Sequence, residues 1–534
     1  MSCLKSVVVF AFVLGAVGVS AGAQAYKVTN IISDGSVPAP AIEPNFINPW
    51  AISSSGTWWI SAEGTGYNYV VPSTGATAGT KSFAVIVPTA KSPNTSPGFP
   101  AGSVTTAGAS GMILPNGTKA SFIFSTLDGT ISGWNSKLGT NNAVSQVVIN
   151  NSAAGASYPG LAILNTSTSS YVLAPDFGTG TAVEVYDNTF KPTKLAGSFT
   201  DPNLPANYAP YAIHILGTQI FVTYALRSAN LPYTTVTGSG FGIVSVFDTS
   251  GNFVARVVTG GNLNAPWGVA FAPANFGIFS NDLLVGNFGD GKINVYDPKS
   301  YAYLGQLMDN TGKSLAYASL WELLTGATGG SGGDASTVYF TAGLTNEAHG
   351  LFAGITNGTT SGSTPTFGFT ASQGAAAVNR GSSVQAIVSV VPANGFSGNV
   401  TLACNGLPSG ATCSFSPSQI TVAANAIATA TVTIQTAGSA SVRPRYLRGT
   451  YGAGIASALL LPLASIVVAR RRRLSSIRLL SVMFVFLACV GFVVGCSDSG
   501  TKTVSGTPTG QSSVVIAATS GSIAQQSTIA LTVQ

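Results

Sequence analysis

The stretch that decides the fold is residues 263–298, LNAPWGVAFAPANFGIFSNDLLVGNFGDGKINVYDP. Two apolar runs, PWGVAFAP and DLLVGNF, precede a tight turn at residues 289–291 and a third alternating run, KINVYDP. Alternation rich in Val, Phe, Ile and Tyr, interrupted by Asn, Asp and Gly, is typical of a meander of short antiparallel strands. The stretch therefore predicts one small antiparallel sheet.

The same phrases return along the chain. APWGV at 265–269 is echoed by NPWAI at 48–52, APYAI at 209–213 and YPGLA at 158–162, and the closing phrase VYDP at 295–298 by VYDN at 185–188 and VFDT at 246–249. The closing phrases lie roughly 50 to 60 residues apart, which is the period of propeller blades rather than of helical solenoids. Six units begin near residues 48, 104, 158, 209, 265 and 319, and they predict an all-β fold containing a six-bladed β-propeller. Residues 27–33 are expected to complete the last blade, which contains residues 338–342, and so to close the ring.

The composition agrees with an all-β chain and argues against a nucleic-acid partner. Only 7% of the residues are charged, and Gly, Ser, Thr and Ala are abundant. Eight arginines between residues 443 and 478 exceed the whole net charge of +6. The rest of the chain is close to neutral, so no nucleic-acid binding is predicted.

The N-terminus carries the features of a signal peptide over residues 1–25. Lys5 provides the positive start, residues 7–19 the apolar core, and Ala23, Gln24 and Ala25 a cleavage site of the small-residue type. The mature chain is expected to begin at Tyr26. We therefore predict an exported protein of the cell envelope with its propeller outside the cytoplasm.

Several long phrases of residues 27–355 resemble a family of uncharacterised bacterial secreted six-bladed β-propellers, related in architecture to NHL-type repeats. The resemblance implies a propeller over residues 26–356 and no assigned activity. Two positions depart from the family pattern: Glu322 lies where the phrase is usually Leu-Trp-Gly-Leu, and Glu63 where Asn or Asp is usual. The matching phrases are NPWAI, DGTISGWN, NSAAG, AGSFTDPNLPANYAPY, LNAPWGVAFAP, LLVGNFGDGKINVYDP, VYFTAG and NEAHGLF.

A second β-rich unit follows a linker at residues 357–366. Residues 367–437 alternate again, and the phrase CNGLPSGATCSFSPSQITV resembles the immunoglobulin-like repeats of bacterial surface proteins. This segment supplies about five of the roughly seven strands of a complete sandwich. Strand-like runs at 512–519 and 527–533 are one hypothesis for the missing strands. Cys404 and Cys413 are predicted to form a disulfide across neighbouring strands, because an exported protein meets an oxidising environment.

A hydrophobic hairpin separates the two halves of this unit. After a linker at 438–450, we predict transmembrane helices at 451–469 and 479–495 around a cytoplasmic basic loop at 470–478, with residues 496–534 as an exported tail. Two other interpretations stay open. Residues 470–496 also look like a lipoprotein signal ending at Cys496, and the first span followed by arginines resembles a C-terminal sorting anchor. Each of the three makes the membrane a partner.

Polar residues near strand ends are the best candidates for a site, because strand ends of a propeller converge on the mouth of its central channel. The predicted ligand-binding residues are Glu63, Asp176, Asn287, Glu347 and His349, and oxygen atoms of the first three are suitable calcium ligands. The alternative is that Asp and Asn beside Gly only stabilise turns. Four tryptophans are interpreted as blade core rather than as platforms for sugars: Trp50, Trp134, Trp267 and Trp321.

Two functions from different classes fit these features. The first is a membrane-anchored binding or scaffold module for an unknown surface protein or glycan. The second is a calcium-dependent propeller hydrolase of the lactonase or esterase type with its site in the channel, for which calcium would be the cofactor. The low charge density and the presence of only two histidines favour the binding module.

Overall fold

The computed structural model describes residues 25–73, 79–92, 97–230, 234–327, 332–358, 365–393, 395–424, 426–442, 502–504 and 506–534. The predicted signal peptide, apart from Ala25, and both predicted membrane helices lie outside these residues. Within the described part of the chain, no helix has both the length and the apolar character needed to cross a membrane.

Strands are the main regular structure of the described chain, and helices are few and short. Its helical elements are a four-residue turn, α1 (Leu344–Glu347), and 3₁₀ turns at Ser136–Leu138, Ser152–Ala154 and Gly277–Phe279. The first 26 strands are β1 (Ala25–Ser33), β2 (Ala41–Ile42), β3 (Pro49–Ser54), β4 (Thr57–Ala62), β5 (Tyr67–Pro72), β6 (Phe83–Ile86), β7 (Pro100–Thr105), β8 (Phe122–Thr126), β9 (Thr130–Trp134), β10 (Ala143–Val144), β11 (Gln146–Asn150), β12 (Ala162–Asn165), β13 (Ser170–Pro175), β14 (Val183–Tyr186), β15 (Tyr208–Leu216), β16 (Gln219–Arg227), β17 (Thr235–Val236), β18 (Ile243–Phe247), β19 (Phe253–Thr259), β20 (Pro266–Phe271), β21 (Leu283–Asn287), β22 (Ile293–Tyr296), β23 (Tyr303–Gln306), β24 (Leu320–Thr325), β25 (Val338–Ala342) and β26 (Leu351–Gly358).

These strands form six sheets in chain order. Sheet one is β10-β6-β5-β4-β3, sheet two β11-β9-β8-β7, sheet three β12-β13-β14, sheet four β15-β16-β18-β19 with β17 on β16, sheet five β20-β21-β22-β23, and sheet six β2-β1-β26-β25-β24. The innermost strands β3, β7, β12, β15, β20 and β24 contact one another in that order, and β24 contacts β3. The sheets therefore form a closed, propeller-like ring. As the sequence predicts, the N-terminal strand β1 pairs with β26 and completes sheet six.

Each gap between neighbouring sheets holds its own apolar core. Six clusters of buried side chains lie between the six pairs of neighbouring sheets, and a seventh, made of aromatic residues and alanines, lies at the centre of the ring. Burial of an apolar side chain contributes about 1.5–3 kcal/mol. Because a blade fills its two faces only in contact with both neighbours, closure of the ring stabilises every sheet.

The innermost strands share a local irregularity that explains the repeated Pro-aromatic phrase. In sheets one, five and six, two residues of the innermost strand bulge out opposite one residue of the next strand. The bulging pairs begin at Trp50, Trp267 and Trp321. A bulge redirects side chains and increases local twist, and here it directs three tryptophans toward the axis of the ring.

The remaining strands build a two-layer β-sandwich. They are β27 (Thr366–Ala371), β28 (Ala375–Val378), β29 (Ser383–Ala393), β30 (Gly398–Asn405), β31 (Thr412–Ser416), β32 (Gln419–Val422), β33 (Ala428–Gln435), β34 (Ala440–Val442), β35 (Lys502–Val504), β36 (Gly510–Ser520) and β37 (Ile523–Val533). One layer is β27-β29-β33-β31, and the other is β28-β37-β36-β30-β32. Strands from the end of the chain thus pair with strands that precede the undescribed residues 443–501. A separate antiparallel pair, β34 with β35, places Val442 beside Lys502.

The sandwich contains the predicted disulfide and packs against sheet five. Cys404 and Cys413 are bonded, which confirms that prediction. Val391 joins the core between sheets five and six, and the Tyr303 hydroxyl donates to Thr370 Oγ1 at 3.2 Å. The outer strand of sheet five is therefore covered by the sandwich.

Candidate functional site

Two of the predicted site residues, Glu63 and Glu347, lie together at the end of the ring where the innermost strands begin. Asn48 Nδ2 donates to Oε2 of each carboxylate, at 2.8 Å in both cases. Asn48 Oδ1 accepts the Trp321 Nε1–H at 2.9 Å. Asn48 precedes β3 with φ of 47°, a left-handed conformation that Asn adopts more readily than most residues. One amide therefore connects sheets one and six.

The two carboxyl groups are partly buried, and this affects their ionisation. Burial raises the pKa of Glu63, the hydrogen bond from Asn48 offsets part of this effect, and the negative charge of Glu347 adds to it. Burial likewise raises the pKa of Glu347, again against the hydrogen bond from Asn48. The pair is therefore easier to protonate than exposed glutamates are.

Asp176 has a structural environment of its own. It is 1% exposed, and its carboxylate accepts the backbone N–H groups of Ser157, Gly178 and Gly180 at 2.7–2.9 Å. Burial raises the pKa of Asp176 even though these hydrogen bonds lower it. The carboxylate thus holds the loop after β13 in place, as the turn interpretation expects.

Asn287 and His349 also bind partners within their own neighbourhoods. Asn287 Nδ2 donates to the Asn262 carbonyl at 2.8 Å, and Asn287 Oδ1 accepts the Asn264 N–H at 3.1 Å. His349 Nδ1 lies 2.6 Å from Asp34 Oδ2, and its side chain is 41% exposed. Neither residue is among the hydrogen-bond partners of Glu63 or Glu347.

The predicted calcium ligands Glu63, Asp176 and Asn287 therefore each have a separate set of partners. Among the residues that the structure describes, no group of three or more His, Cys, Asp or Glu side chains is placed to hold a metal ion. Calcium binding by these three residues stays a prediction.

Aromatic side chains close the same end of the ring. The Trp50 and Trp321 rings stack with centroids 3.5 Å apart, Trp267 packs edge-on against both at 6.2 Å, and Tyr211 lies beside them. We call these four residues the aromatic plug. All four are at least 96% buried. From the sequence the tryptophans are interpreted as blade core: Trp134 is buried between sheets one and two, whereas Trp50, Trp267 and Trp321 are buried at the centre of the ring.

Beyond the plug, the axis of the ring is an open channel with a volume of about 740 Å³. Its walls come mainly from the six innermost strands and the residues that flank them: 52–54, 103–105, 161–163, 213–217, 269–274 and 322–325. The walls differ in polarity. Strands β12 and β20 contribute apolar residues such as Ile163 and Val269, whereas the neighbouring strands β24, β3 and β7 contribute Glu322, Ser53 and Ser103. The two serine hydroxyls lie 2.8 Å apart.

Glu322 and His214 form the one acid-base pair in the channel wall. Glu322 Oε1 lies 3.5 Å from His214 Nδ1, and the two side chains are 10% and 11% exposed. His214 Nε2 lies 3.0 Å from the carbonyl oxygen of Trp267. Because that carbonyl only accepts, Nε2 carries the proton and Nδ1 presents its lone pair to Glu322.

Burial keeps both groups neutral near pH 7. It raises the pKa of Glu322 to about 8, although the backbone N–H groups of Leu323 and Ile52 lower it. It lowers the pKa of His214 to about 4, against the effect of the Trp267 carbonyl. A protonated carboxyl group beside a neutral imidazole is the kind of perturbed pair that marks candidate sites in a cavity.

The sequence alone did not identify this pair. The signal was present at Glu322, since the phrase LWELL places a carboxylate where the matching phrase PWGV has Gly268. A Cβ on Gly268 would lie 2.4 Å from the Trp321 carbonyl oxygen, so sheet five leaves no room for a side chain at this position. At the matching position of sheet six, Glu322 has room and lies at the channel wall.

Comparisons with known proteins find distant relatives without a described activity. No family model matches the chain. Two uncharacterised proteins of Acanthamoeba polyphaga mimivirus are 28% and 29% identical over 342 residues, spanning 62% of this chain and 80% and 85% of theirs. A third from the same virus is 31% identical over 199 residues, which is 37% of this chain and 36% of that protein. These relatives are viral, so they do not support the bacterial origin that the sequence resemblance implied.

The solved structures that match the chain do so at low similarity. A PQQ-bound aldose sugar dehydrogenase from Streptomyces coelicolor is 11% identical with a TM-score of 0.36, covering 63% of this chain and all of its own. An α-L-arabinofuranosidase from Fusarium graminearum is 10% identical with a TM-score of 0.38, covering 62% and 98%. An auxiliary nutrient binding protein from Bacteroides ovatus has the same identity and TM-score, covering 62% and 76%. The function therefore has to be argued from this chain's own all-β, propeller-like ring and its channel.

Proposed function

We propose that this chain is an exported binding module, in which a six-bladed β-propeller holds a small ligand in its central channel. The observation that carries the proposal is the 740 Å³ channel, with apolar residues on one side and Glu322, Ser53 and Ser103 on the other. Small-molecule sites are typically concave and mostly apolar, with a few polar groups that orient the ligand. A closed end formed by the aromatic plug leaves the opposite end of the ring as the entrance.

A small ligand fits the observed surfaces better than a glycan stacked on tryptophan. Trp50, Trp267 and Trp321 are each 4% exposed or less, so none offers a ring face to a sugar from outside. A surface protein as an additional partner stays a prediction from the sequence.

The attachment to a membrane is a second part of the proposal. An immunoglobulin-like sandwich would carry the propeller, and residues 451–469 and 479–495 would form a membrane hairpin inserted into that sandwich. Pairing of β34 with β35 supports this arrangement, because Val442 and Lys502 are partners in register. A hairpin inserted into the sandwich requires that the chain leave the sandwich and return to it at the same place.

Binding is favoured over the calcium-dependent hydrolase because of where the polar groups lie. A hydrolase of that kind needs several oxygen ligands around one metal position. In this ring, Asp176 binds its own loop, and Asn287 binds Asn262 in the loop that leads into sheet five. The channel, by contrast, exists without any rearrangement.

The proposal is tested by titrating the full chain with 4-phenylbutan-1-ol, an apolar probe with one hydroxyl group. A probe of this size is expected to bind with a dissociation constant on the order of 1 mM. Thr105→Trp, at the channel wall, should weaken binding at least tenfold by filling the cavity. The matched control Thr168→Trp lies on an exposed loop and should bind the probe as the unmodified chain does. If neither substitution alters binding, the probe occupies another place, and the channel is not the site.

A further inference from the structure

The described channel wall contains few ionisable side chains. Among the described residues that line it, only Glu322 and His214 can ionise, and neither lysine nor arginine is one of these lining residues. A negatively charged ligand would find no cation there and would lose its hydration without compensation. The channel therefore discriminates against anions.

Once Glu322 is ionised, both ionisable groups act as hydrogen-bond acceptors. His214 Nε2 is occupied by the Trp267 carbonyl, so Nδ1 is an acceptor. Glu322 Oε1 lies 3.5 Å from that nitrogen, and a carboxylate only accepts. Two acceptors at this separation, facing a cavity, are matched by a single group that carries several N–H donors, such as a primary ammonium group.

The described groups that contact Glu322 include no cation that would compete with a bound ammonium group. Backbone N–H groups of Leu323 and Ile52 bond to the Glu322 carboxyl group, and the Glu322 N–H donates to Thr341 Oγ1 at 3.1 Å. The strands packed against β24 are β3, β20, β21 and β25. Their only titratable side chain is Tyr339, whose hydroxyl group accepts the Asp334 N–H.

We propose that the channel selects ligands that carry a primary amine on an apolar body, and that Glu322 releases its proton when the ammonium group binds. The inference rests on the proposed function, since it names the ligand class of the same channel. The apolar body would lie against β12 and β20, and the ammonium group between Glu322 and His214. The exchange is balanced: a carboxyl proton leaves to solvent and a cation takes its place, so the charge of the occupied channel does not change.

This exchange makes binding of an amine depend on pH. Because burial holds the pKa of Glu322 near 8, most channels at pH 7 carry the proton and have to lose it on binding. Below pH 8 the affinity for an amine should therefore rise about tenfold per pH unit and level off above it. Binding of an uncharged ligand should not follow this dependence.

The test compares 4-phenylbutylamine with 4-phenylbutan-1-ol on the full chain by isothermal titration calorimetry. We expect the amine to bind more tightly than the alcohol at pH 8, to lose about tenfold in affinity between pH 7 and pH 6, and to release close to one proton at pH 7, measured from two buffers with different ionisation enthalpies. Glu322→Gln should abolish the proton release and the preference, so that the amine binds no more tightly than the alcohol does to the same variant. The pH dependence of the unmodified chain gives an independent measurement if that variant does not fold.

The outcomes separate this inference from the proposed function. If the alcohol binds in the channel and the amine binds no better at any pH, the amine inference is overturned and the binding function stands. If an amine preference persists in Glu322→Gln, the carboxylate is not the recognising group, and the inference is likewise overturned. If neither probe binds, the channel is not a ligand site, and both proposals fail.

Discussion

Replacing Glu322 by glutamine should change how the stability of the ring depends on pH. Burial raises the pKa of this carboxyl group from its ordinary value of 4.5 to about 8 in the folded chain. Between these two values the folded chain holds a proton that the unfolded chain has lost. The folding free energy contributed by Glu322 is therefore fully present below pH 4.5 and is lost as the pH rises toward 8.

The magnitude follows from the size of this shift. Each pH unit between the two pKa values costs about 1.4 kcal/mol, so the loss reaches about 5 kcal/mol above pH 8. An entropy of unfolding of about 2.1 cal/mol/K per residue, applied to residues 25–358, converts this to a fall of about 2 °C in Tm per pH unit. Glutamine has a similar shape and no ionisation in this range, so its variant should not show this fall.

The measurement is the difference in Tm between the unmodified chain and Glu322→Gln from pH 5 to pH 9, by differential scanning calorimetry. Taking the difference removes the contribution of every other titrating group, including His214, because both chains contain them. The two Tm values should nearly agree at pH 5, and the variant should be the more stable by about 6 to 8 °C at pH 9. Parallel curves over the whole range would show that Glu322 is not held protonated in the folded chain, and the reasoning about the channel would be wrong.

Three further predictions concern the scaffold. Cys404→Ser should lower the stability of the sandwich by about 2–3 kcal/mol, because the bond to Cys413 closes a short loop; the loss should be absent when both chains are measured in a reductant. Asp201→Asn should destabilise sheet four by about 3–5 kcal/mol, since the fully buried Asp201 side chain binds Arg256 at 2.5 Å, and a double variant that also replaces Arg256 by methionine should recover part of that loss in urea unfolding. Trp321→Ala should cost about 3–5 kcal/mol by leaving a cavity in the aromatic plug; a Tm unchanged by this substitution would show that the plug does not contribute to closure of the ring.

The sequence predicts the ring because its repeated phrases mark local features that recur in several of the sheets. The Pro-aromatic phrase marks the bulge at the start of an innermost strand, and it appears with its tryptophan at Trp50 and Trp267. Residues in the left-handed region, Asn48 and Ala265, precede these strands at matching positions. Spacing of the phrases thus gives the number of sheets and the pairing of β1 with the last sheet. The sandwich was harder to predict, since β36 and β37 join β30 from across residues 443–501.

Polar residues at strand ends predicted the site less well, because the same residue types either bind their own backbone or remain available to a neighbouring group. Glu63 and Glu347 meet through Asn48 because the first and last sheets of the ring are neighbours. Asp176 follows the same pattern in the sequence, but three backbone N–H groups of adjacent loops occupy its oxygen atoms. Only the three-dimensional course of the loop distinguishes a carboxylate that binds its own backbone from one that remains available to a neighbour.

The pair of Glu322 and His214 is a kind of site that a repeat pattern in the sequence does not predict. Their side chains approach across the channel from sheets six and four, and the backbone of sheet five, at Trp267, fixes the ring of His214 between them. No local motif encodes such a contact, since it exists only when the ring closes. What the sequence does contain is an exception: one strand among six places a carboxylate where its counterpart in sheet five has glycine. A buried carboxylate costs stability unless a partner compensates for it. A repeat that carries such a cost at a single position, on the wall of a 740 Å³ channel, is best explained by a ligand that supplies the compensating charge.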